Sequence, residues 1–112
     1  MPDNEYIYML RLNRPEMLTE GPTEEEAAIR SRHVDYIQGL LDQVVLVLAG
    51  RTQTGDGSSR GLVIFRAEDA AAAQRVMQAD PAVAEGLMTA ELFPFPVVFE
   101  GSFTRGGNVG PG

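Results

Sequence analysis

Residues 23–49 carry the sequence TEEEAAIRSRHVDYIQGLLDQVVLVLA, which predicts a capped helix that leads into a strand. Thr23 and Glu26 stand at the spacing of a capping box, in which each side chain bonds the backbone N–H of the other residue. One apolar stripe with helical spacing follows, made of Ile29, His33, Tyr36, Ile37, Leu40 and Leu41. We expect the helix to end near Asp42 and the apolar run 44–49 to form a strand buried on both faces.

The flanking segments complete a regular order of elements. Residues 6–12 alternate with two apolar faces and predict a central strand. A polar hairpin loop over 53–60 leads to a strand at 62–66, an alanine-rich helix at 68–79 and a short turn at 81–85. The last strand, 88–100, contains Pro94 and Pro96, which favour the edge of a sheet.

This order, βαββαβ, predicts an α+β ferredoxin-like fold with a four-stranded antiparallel sheet and two helices on one face. Residues 1–100 are expected to form one domain, and the glycine-rich residues 101–112 a flexible tail. Because several strands are apolar on both sides, the face without helices needs a cover. A second copy of the chain, forming a homodimer, is the simplest one.

The composition excludes several classes of partner and site. Sixteen acidic residues against nine arginines, with no lysine, give a formal charge of −7, which disfavours nucleic acid and anionic membranes. With no cysteine, the chain has no disulfide and no thiolate metal site. No apolar run approaches the roughly 20 residues that span a bilayer, and the N-terminus is polar, so a cytoplasmic protein is expected.

Four short motifs, in order, resemble the YciI-like (YCII-related) family of the dimeric α/β-barrel superfamily. They are Arg30-x-x-His33-x-x-Tyr36-Ile37, LAGRT at 48–52, ADPAV at 79–83 and MTAELFPF at 88–95. The resemblance implies a homodimer with a pocket between helices and sheet, and an active-site pair formed here by His33 and Asp80. It implies no named substrate. Pro96 stands where the family pattern has a basic residue, and the glycine-rich tail is unlike the family.

His33 and Asp80 each allow two interpretations. The imidazole suits a general acid or base because the unperturbed histidine pKa, about 6.5, lies near neutrality, but a neutral core histidine would occupy the same stripe. Asp80 precedes Pro81, so the carboxylate is expected first to cap a short helical turn. Its second role would be to orient His33 and fix one tautomer of the ring.

Three further side chains are candidate ligand contacts. Arg51, at the end of the second strand, could hold a carboxylate or phenolate, although such a residue is often a solvated strand end. Tyr8 and Tyr36 could line an aromatic pocket, although core or interface packing is the more common role for such residues. Arg30 and Arg32 are expected to pair with acids one turn away on their own helix.

The site residues favour two functions. The first is an enzyme that uses no metal or organic cofactor and moves a proton on a small organic compound, with an aromatic one as a candidate, in an isomerase- or lyase-type reaction. His33 would transfer the proton and Asp80 would hold the ring. The alternative is a non-catalytic homodimer that binds a small molecule or a protein. A cofactor-free oxygenase of the same fold is a third, weaker option, because nothing in the sequence signals oxygen chemistry. A single histidine, no serine elbow and no phosphate loop exclude a structural zinc site, a serine nucleophile and nucleotide phosphate binding.

Overall fold

The computed structural model describes residues 4–55 and 57–101. Its elements in chain order are β1 (Asn4–Leu12), α1 (Met17–Glu20), α2 (Glu24–Asp42), β2 (Leu46–Arg51), β3 (Gly61–Ala67), α3 (Ala70–Ala79), α4 (Pro81–Ala84) and β4 (Met88–Pro94). The strands form one sheet in the order β2-β3-β1-β4, and every neighbouring pair is antiparallel. The predicted α+β ferredoxin-like fold is confirmed, whereas the predicted tail after Gly101 lies outside the described residues.

The main core lies between the sheet and the helices. Tyr6, Tyr8 and Leu10 of β1 belong to it because alternate residues of a strand point to the same side. The Tyr8 ring meets the Phe65 ring of β3 edge to face, with 5.7 Å between the ring centroids. Ile7 and Met9 point to the opposite side, which carries no helix. The central position predicted for β1 is confirmed.

Helix α2 begins as the sequence predicts. The Thr23 hydroxyl accepts from the Glu26 backbone N–H at 3.1 Å, and the Glu26 carboxylate accepts from the Thr23 N–H at 2.8 Å. Arg14 donates two more hydrogen bonds to Glu26, at 2.7 and 2.8 Å, and lowers the pKa of that carboxyl to about 2. Along the predicted apolar stripe Ile29 and Leu40 are buried, but Leu41 is 49% exposed, so its inclusion was wrong.

The segment after α2 departs from the prediction. Val44 is 78% exposed and has φ 62°, so it turns the chain out of the helix instead of starting a strand. β2 begins only at Leu46 and forms one edge of the sheet, with Leu48 59% exposed. The prediction of a strand buried on both faces was therefore wrong, because an edge strand in this position lacks cover.

The last strand is shorter than predicted. β4 ends at Pro94, and its position at the other sheet edge agrees with the proline pattern. Beyond it the Phe95 N–H donates to the Glu5 carbonyl at 3.0 Å. The sequence pattern did not predict α1. Met17 of this helix packs with Ile29 and Leu87 in a second small core. No helix within the described ranges is long and apolar enough to cross a membrane.

The conformation of Val44 makes a prediction about stability. A β-branched residue in the left-handed region is strained by about 1–3 kcal/mol, and glycine adopts that region without strain. Val44→Gly relieves this strain, but glycine also increases the conformational entropy of the unfolded chain, which opposes folding. The net result should be a rise of about 1 kcal/mol in the free energy of unfolding. Thermal and urea unfolding measure it. Val98→Gly, at a position that is 80% exposed without positive φ, is the control and should bring no gain.

Candidate active site

Asp80 lies at the junction of two helices. It follows the last residue of α3 and is the N-cap of α4, with Pro81 at the first helical position. Its Oδ1 accepts from the Ala82 backbone N–H at 2.9 Å. The capping role predicted from the Asp-Pro dipeptide is confirmed. The side chain is nevertheless fully buried, which is unusual for a carboxylate that only caps a turn.

His33 reaches this carboxylate from α2. Its Nδ1 lies 2.8 Å from Asp80 Oδ1 and 2.9 Å from Oδ2, although the two residues are 47 positions apart in the chain. The His33 side chain is 17% exposed. The structure therefore brings together the two residues that the sequence named as a pair, and it leaves one edge of the imidazole near the surface.

Tyr8 completes the surroundings of Asp80 from the sheet. Its hydroxyl donates to Asp80 Oδ2 at 2.8 Å, and the Tyr8 side chain is fully enclosed in the core. Burial, and then the neighbouring carboxylate, hold the pKa of Tyr8 far above its usual value. Tyr8, which the sequence suggested as a ligand contact, therefore lies beneath Asp80, where its hydroxyl donates a hydrogen bond to the carboxylate.

This network assigns the protons of His33. The Tyr8 hydroxyl and the Ala82 N–H both donate to Asp80, so the carboxylate acts as the acceptor for every neighbour. Nδ1 must then carry the proton that it shares with Asp80, and Nε2 is left with a free lone pair in the neutral ring. A histidine held in this tautomer can accept a proton at Nε2 and return it.

The remaining candidates lie around or away from this network. Tyr36, one turn after His33, donates to the Val76 carbonyl at 2.7 Å, and burial followed by the Asp80 charge raises its pKa. Arg51 is exposed at the end of β2, and none of its contacts with described residues is a hydrogen bond or ion pair to His33 or Asp80. The structure does not bring it to His33, and its role as a ligand contact stays a prediction.

The expectation that Arg30 and Arg32 pair with acids on their own helix was wrong, and Arg30 forms no ion pair with any described residue. Arg32 does not pair within α2; it bonds Glu85, just after α4, with Nη2 2.5 Å from Oε1 and Nε 3.1 Å from Oε2. Sequence spacing predicts pairs within one helix, and it carries no signal for a partner 53 residues away.

The described residues offer little for a metal or a deep pocket. No group of three or more His, Cys, Asp or Glu side chains in them is placed to hold a metal ion. A depression of about 60 Å³ is lined by Met9, Arg11, Arg60, Thr89 and Glu91, on the side of the sheet away from the helices. Neither His33 nor Asp80 lines this depression. The chemistry of the candidate site therefore rests on the side chains of His33 and Asp80 themselves.

Tyr8 yields a prediction about alkaline stability. The folded chain keeps the Tyr8 proton well above pH 10, whereas the unfolded chain releases it near pH 10. The stabilisation is therefore complete below about pH 10 and is lost as the pH rises further. Tyr8→Phe should lower the free energy of unfolding by about 1–3 kcal/mol at neutral pH, because Asp80 loses a donor, and should flatten the decline above pH 10.

Urea unfolding between neutral pH and about pH 11 measures both effects. Tyr6→Phe is the matched control, since the Tyr6 hydroxyl bonds none of the described residues and its ring packs in the same core. A Tyr8→Phe variant that kept the wild-type stability at neutral pH would contradict the hydrogen bond to Asp80.

Comparison with known proteins gives the family. The model of the YCII-related domain matches residues 6–96. No curated protein sequence matches the chain significantly. Among solved structures, TftG from Burkholderia phenoliruptrix AC1100 is similar, with a TM-score of 0.56 at 17% identity over 80% of this chain and 92% of that one. TftG is a 5-chloro-2-hydroxyhydroquinone dehydrochlorinase, solved in complex with 2,5-dihydroxybenzoquinone.

A second structure is a variant of SnoaB, a cofactor-independent oxygenase from Streptomyces nogalater. It matches with a TM-score of 0.46 at 13% identity, over 89% of this chain and 97% of that one. The TftG match agrees with the ferredoxin-like architecture described above. The family model covers most of the described residues, including the whole His33–Asp80 site. The chain therefore belongs to the YCII-related family.

Proposed function

We propose that this protein is a cofactor-independent enzyme that transfers a proton on a small aromatic organic compound, with His33 as the general base and acid. The observation that carries the proposal is the contact of His33 Nδ1 with both oxygens of buried Asp80, at 2.8 and 2.9 Å. This contact fixes the ring and leaves Nε2 as the reactive nitrogen. A core histidine without function needs only one hydrogen-bond partner, such as a backbone carbonyl.

The proposed step needs no further reactant. Nε2 takes a proton from an acidic C–H or O–H of the ligand, and the Asp80 carboxylate stabilises the imidazolium that forms. The electron pair of the broken bond moves into the ligand. The imidazolium then returns the proton to another ligand atom in an isomerisation, or to a leaving group in an elimination.

The first compounds to test follow from chemistry and from the fold relatives. Hydroxylated benzenes and hydroxylated quinones have O–H and C–H groups acidic enough for an imidazole base to deprotonate. TftG is named for a compound of this class. Tyr36 and Arg51 stay predicted ligand contacts. Arg51→Gln would weaken binding of a phenolate if the ligand extends to β2.

His33→Gln should lower the rate of proton exchange into the ligand by about 10²–10⁴-fold, the usual contribution of a positioned acid or base. Incorporation of deuterium from D₂O into hydroxyhydroquinones and hydroxyquinones, followed by NMR or mass spectrometry, detects the transfer even without a net reaction. Asp80→Asn should also lose rate, because an amide can present its N–H to Nδ1 and select the other tautomer.

Asp35→Asn is the matched control, since Asp35 is exposed on the same helix and should not change the rate. Ligand binding by the wild type with no exchange, and equal binding by His33→Gln, would contradict the enzyme. That result would favour the alternative, a binding module in which His33 and Asp80 are structural.

We further propose that the enzyme is a homodimer, joined through the helix-free face. This face is formed by alternate residues of the four strands, namely Leu48, Leu62, Ile64, Ile7, Met9 and Phe93. Leu48 and Phe93, on the two edge strands, are 59% and 43% exposed, whereas Ile7 and Ile64, on the central strands, are already buried within the chain. A second copy would remove this apolar surface from water, and a two-fold contact needs only one self-complementary face.

The charges beside the helix-free face support this partner. At one border Arg66 lies 3.8 Å from Glu5 and 4.0 Å from Glu100, so its charge is paired within the chain. At the other border Arg11 and Glu91 form no ion pair with any described residue. In a two-fold contact near them, Arg11 of each copy would meet Glu91 of the other.

Light scattering and sedimentation at micromolar concentration should give twice the chain mass of 12.2 kDa. Arg11→Glu and Glu91→Arg should each weaken the dimer because like charges then face each other, and the double variant should restore it. Arg75→Glu, at an exposed position on α3, is the control. A wild-type monomer at these concentrations would contradict the dimer, and a double variant that stays dissociated would contradict the reciprocal pair.

We propose the cytoplasm as the compartment, because a sequence with no cysteine is compatible with a reducing environment. Fractionation of cells that express the tagged chain tests it. Recovery in an extracytoplasmic or membrane fraction would contradict it.

A further inference from the structure

A surface ion pair lies beside the buried His33–Asp80 pair and joins the same two helices. Arg32 directly precedes His33 on α2, and Glu85 directly follows α4, the helix that Asp80 begins. The Arg32 guanidinium donates twice to the Glu85 carboxylate, at 2.5 and 3.1 Å. Both side chains are about half exposed, so the pair is accessible to solvent and salt.

Helix α4 depends on such contacts for its position. It has a single turn, Pro81–Ala84, and so short a helix is not stable on its own hydrogen bonds. Asp80 at its start bonds His33, and Glu85 at its end bonds Arg32. Neighbouring residues of α2 therefore bond both ends of α4, and the two contacts contribute to how α4 is oriented against α2.

We propose that Arg32 and Glu85 are positioning residues that keep α4 oriented so that Asp80 stays bonded to His33 Nδ1. Neither side chain contacts the imidazole in the structure, so they act through the helix. Other contacts anchor α4 to the fold: Ala82 is fully buried, and Asn13 donates to the Gly86 carbonyl at 2.8 Å. Loss of the ion pair should therefore free the orientation of α4 while the chain stays folded.

The Arg32–Glu85 ion pair is called the clamp. Its importance for catalysis rests on the proposed function, but its effect on the His33–Asp80 hydrogen bond does not. The chain has one histidine, so the Nδ1–H signal of His33 in ¹⁵N NMR has no overlap with another imidazole. Exchange of that proton with water reports how often the Asp80–His33 hydrogen bond opens.

Glu85→Ala and Arg32→Ala should each speed Nδ1–H exchange by roughly two- to fivefold, the size expected for an exposed ion pair. The exchange of core backbone N–H groups in β1 and β3 should stay unchanged. The charge-swapped double variant, Arg32→Glu with Glu85→Arg, should restore slow exchange. Salt at about 1 M should speed the exchange in the wild type but not in Glu85→Ala, because salt screens the exposed pair.

Arg30→Ala is the matched control, since Arg30 is exposed on the same helix and bonds none of the described residues. Wild-type Nδ1–H exchange in Glu85→Ala would overturn the clamp, and so would faster exchange that the core N–H groups share, because that reports global unfolding. Failure of the swap to restore slow exchange would also overturn it. If Glu85→Ala opens the pair but His33→Gln leaves proton transfer intact, the clamp stands and the proposed catalytic role of His33 falls.

Discussion

The buried carboxylate of Asp80 is the group on which the rest of this structure depends. A buried carboxylate is costly unless hydrogen bonds replace the water that it loses. Here the donors come from the sheet through Tyr8, from α2 through His33, and from the first turn of α4 through Ala82. The Asp80 carboxylate thus connects β1, α2 and α4. As the common acceptor, it fixes the position of each of the three donors.

Capping a helix and orienting His33, as proposed, are compatible roles for Asp80. A carboxylate has about four lone-pair sites, so a backbone N–H, a phenol and an imidazole can bond it together. In the sequence alone, the cap and the orienting role are two separate interpretations of one dipeptide. The geometry joins them, because the bond to Ala82 fixes the carboxylate in the orientation that meets Nδ1. A stable turn is therefore part of how the imidazole is held.

The sequence predicted what local chemistry determines. The capping box at Thr23, the Asp80 cap before Pro81 and the edge position of the proline-containing strand follow from a few neighbouring residues. Contacts between distant residues were different. Tyr8 and Asp80 lie 72 positions apart, and the exposure of Leu48 depends on the order of the strands in the sheet. No short stretch of sequence therefore predicts the Tyr8–Asp80 hydrogen bond or the exposure of Leu48. The named pair was found only through the family resemblance, which carries non-local information.

The two sides of β1 divide the proposed roles between neighbouring residues. Tyr8 points to the helices and supports Asp80, whereas Ile7 and Met9 point to the helix-free face. Because a strand alternates its side chains, the site and the proposed interface share a backbone but no side chain. Substitutions at the border of the helix-free face can therefore change association without touching the hydrogen bonds of Asp80. A dimer that covers this face would still limit the motion of β1, and so it would hold the Tyr8 hydroxyl in place through the backbone alone.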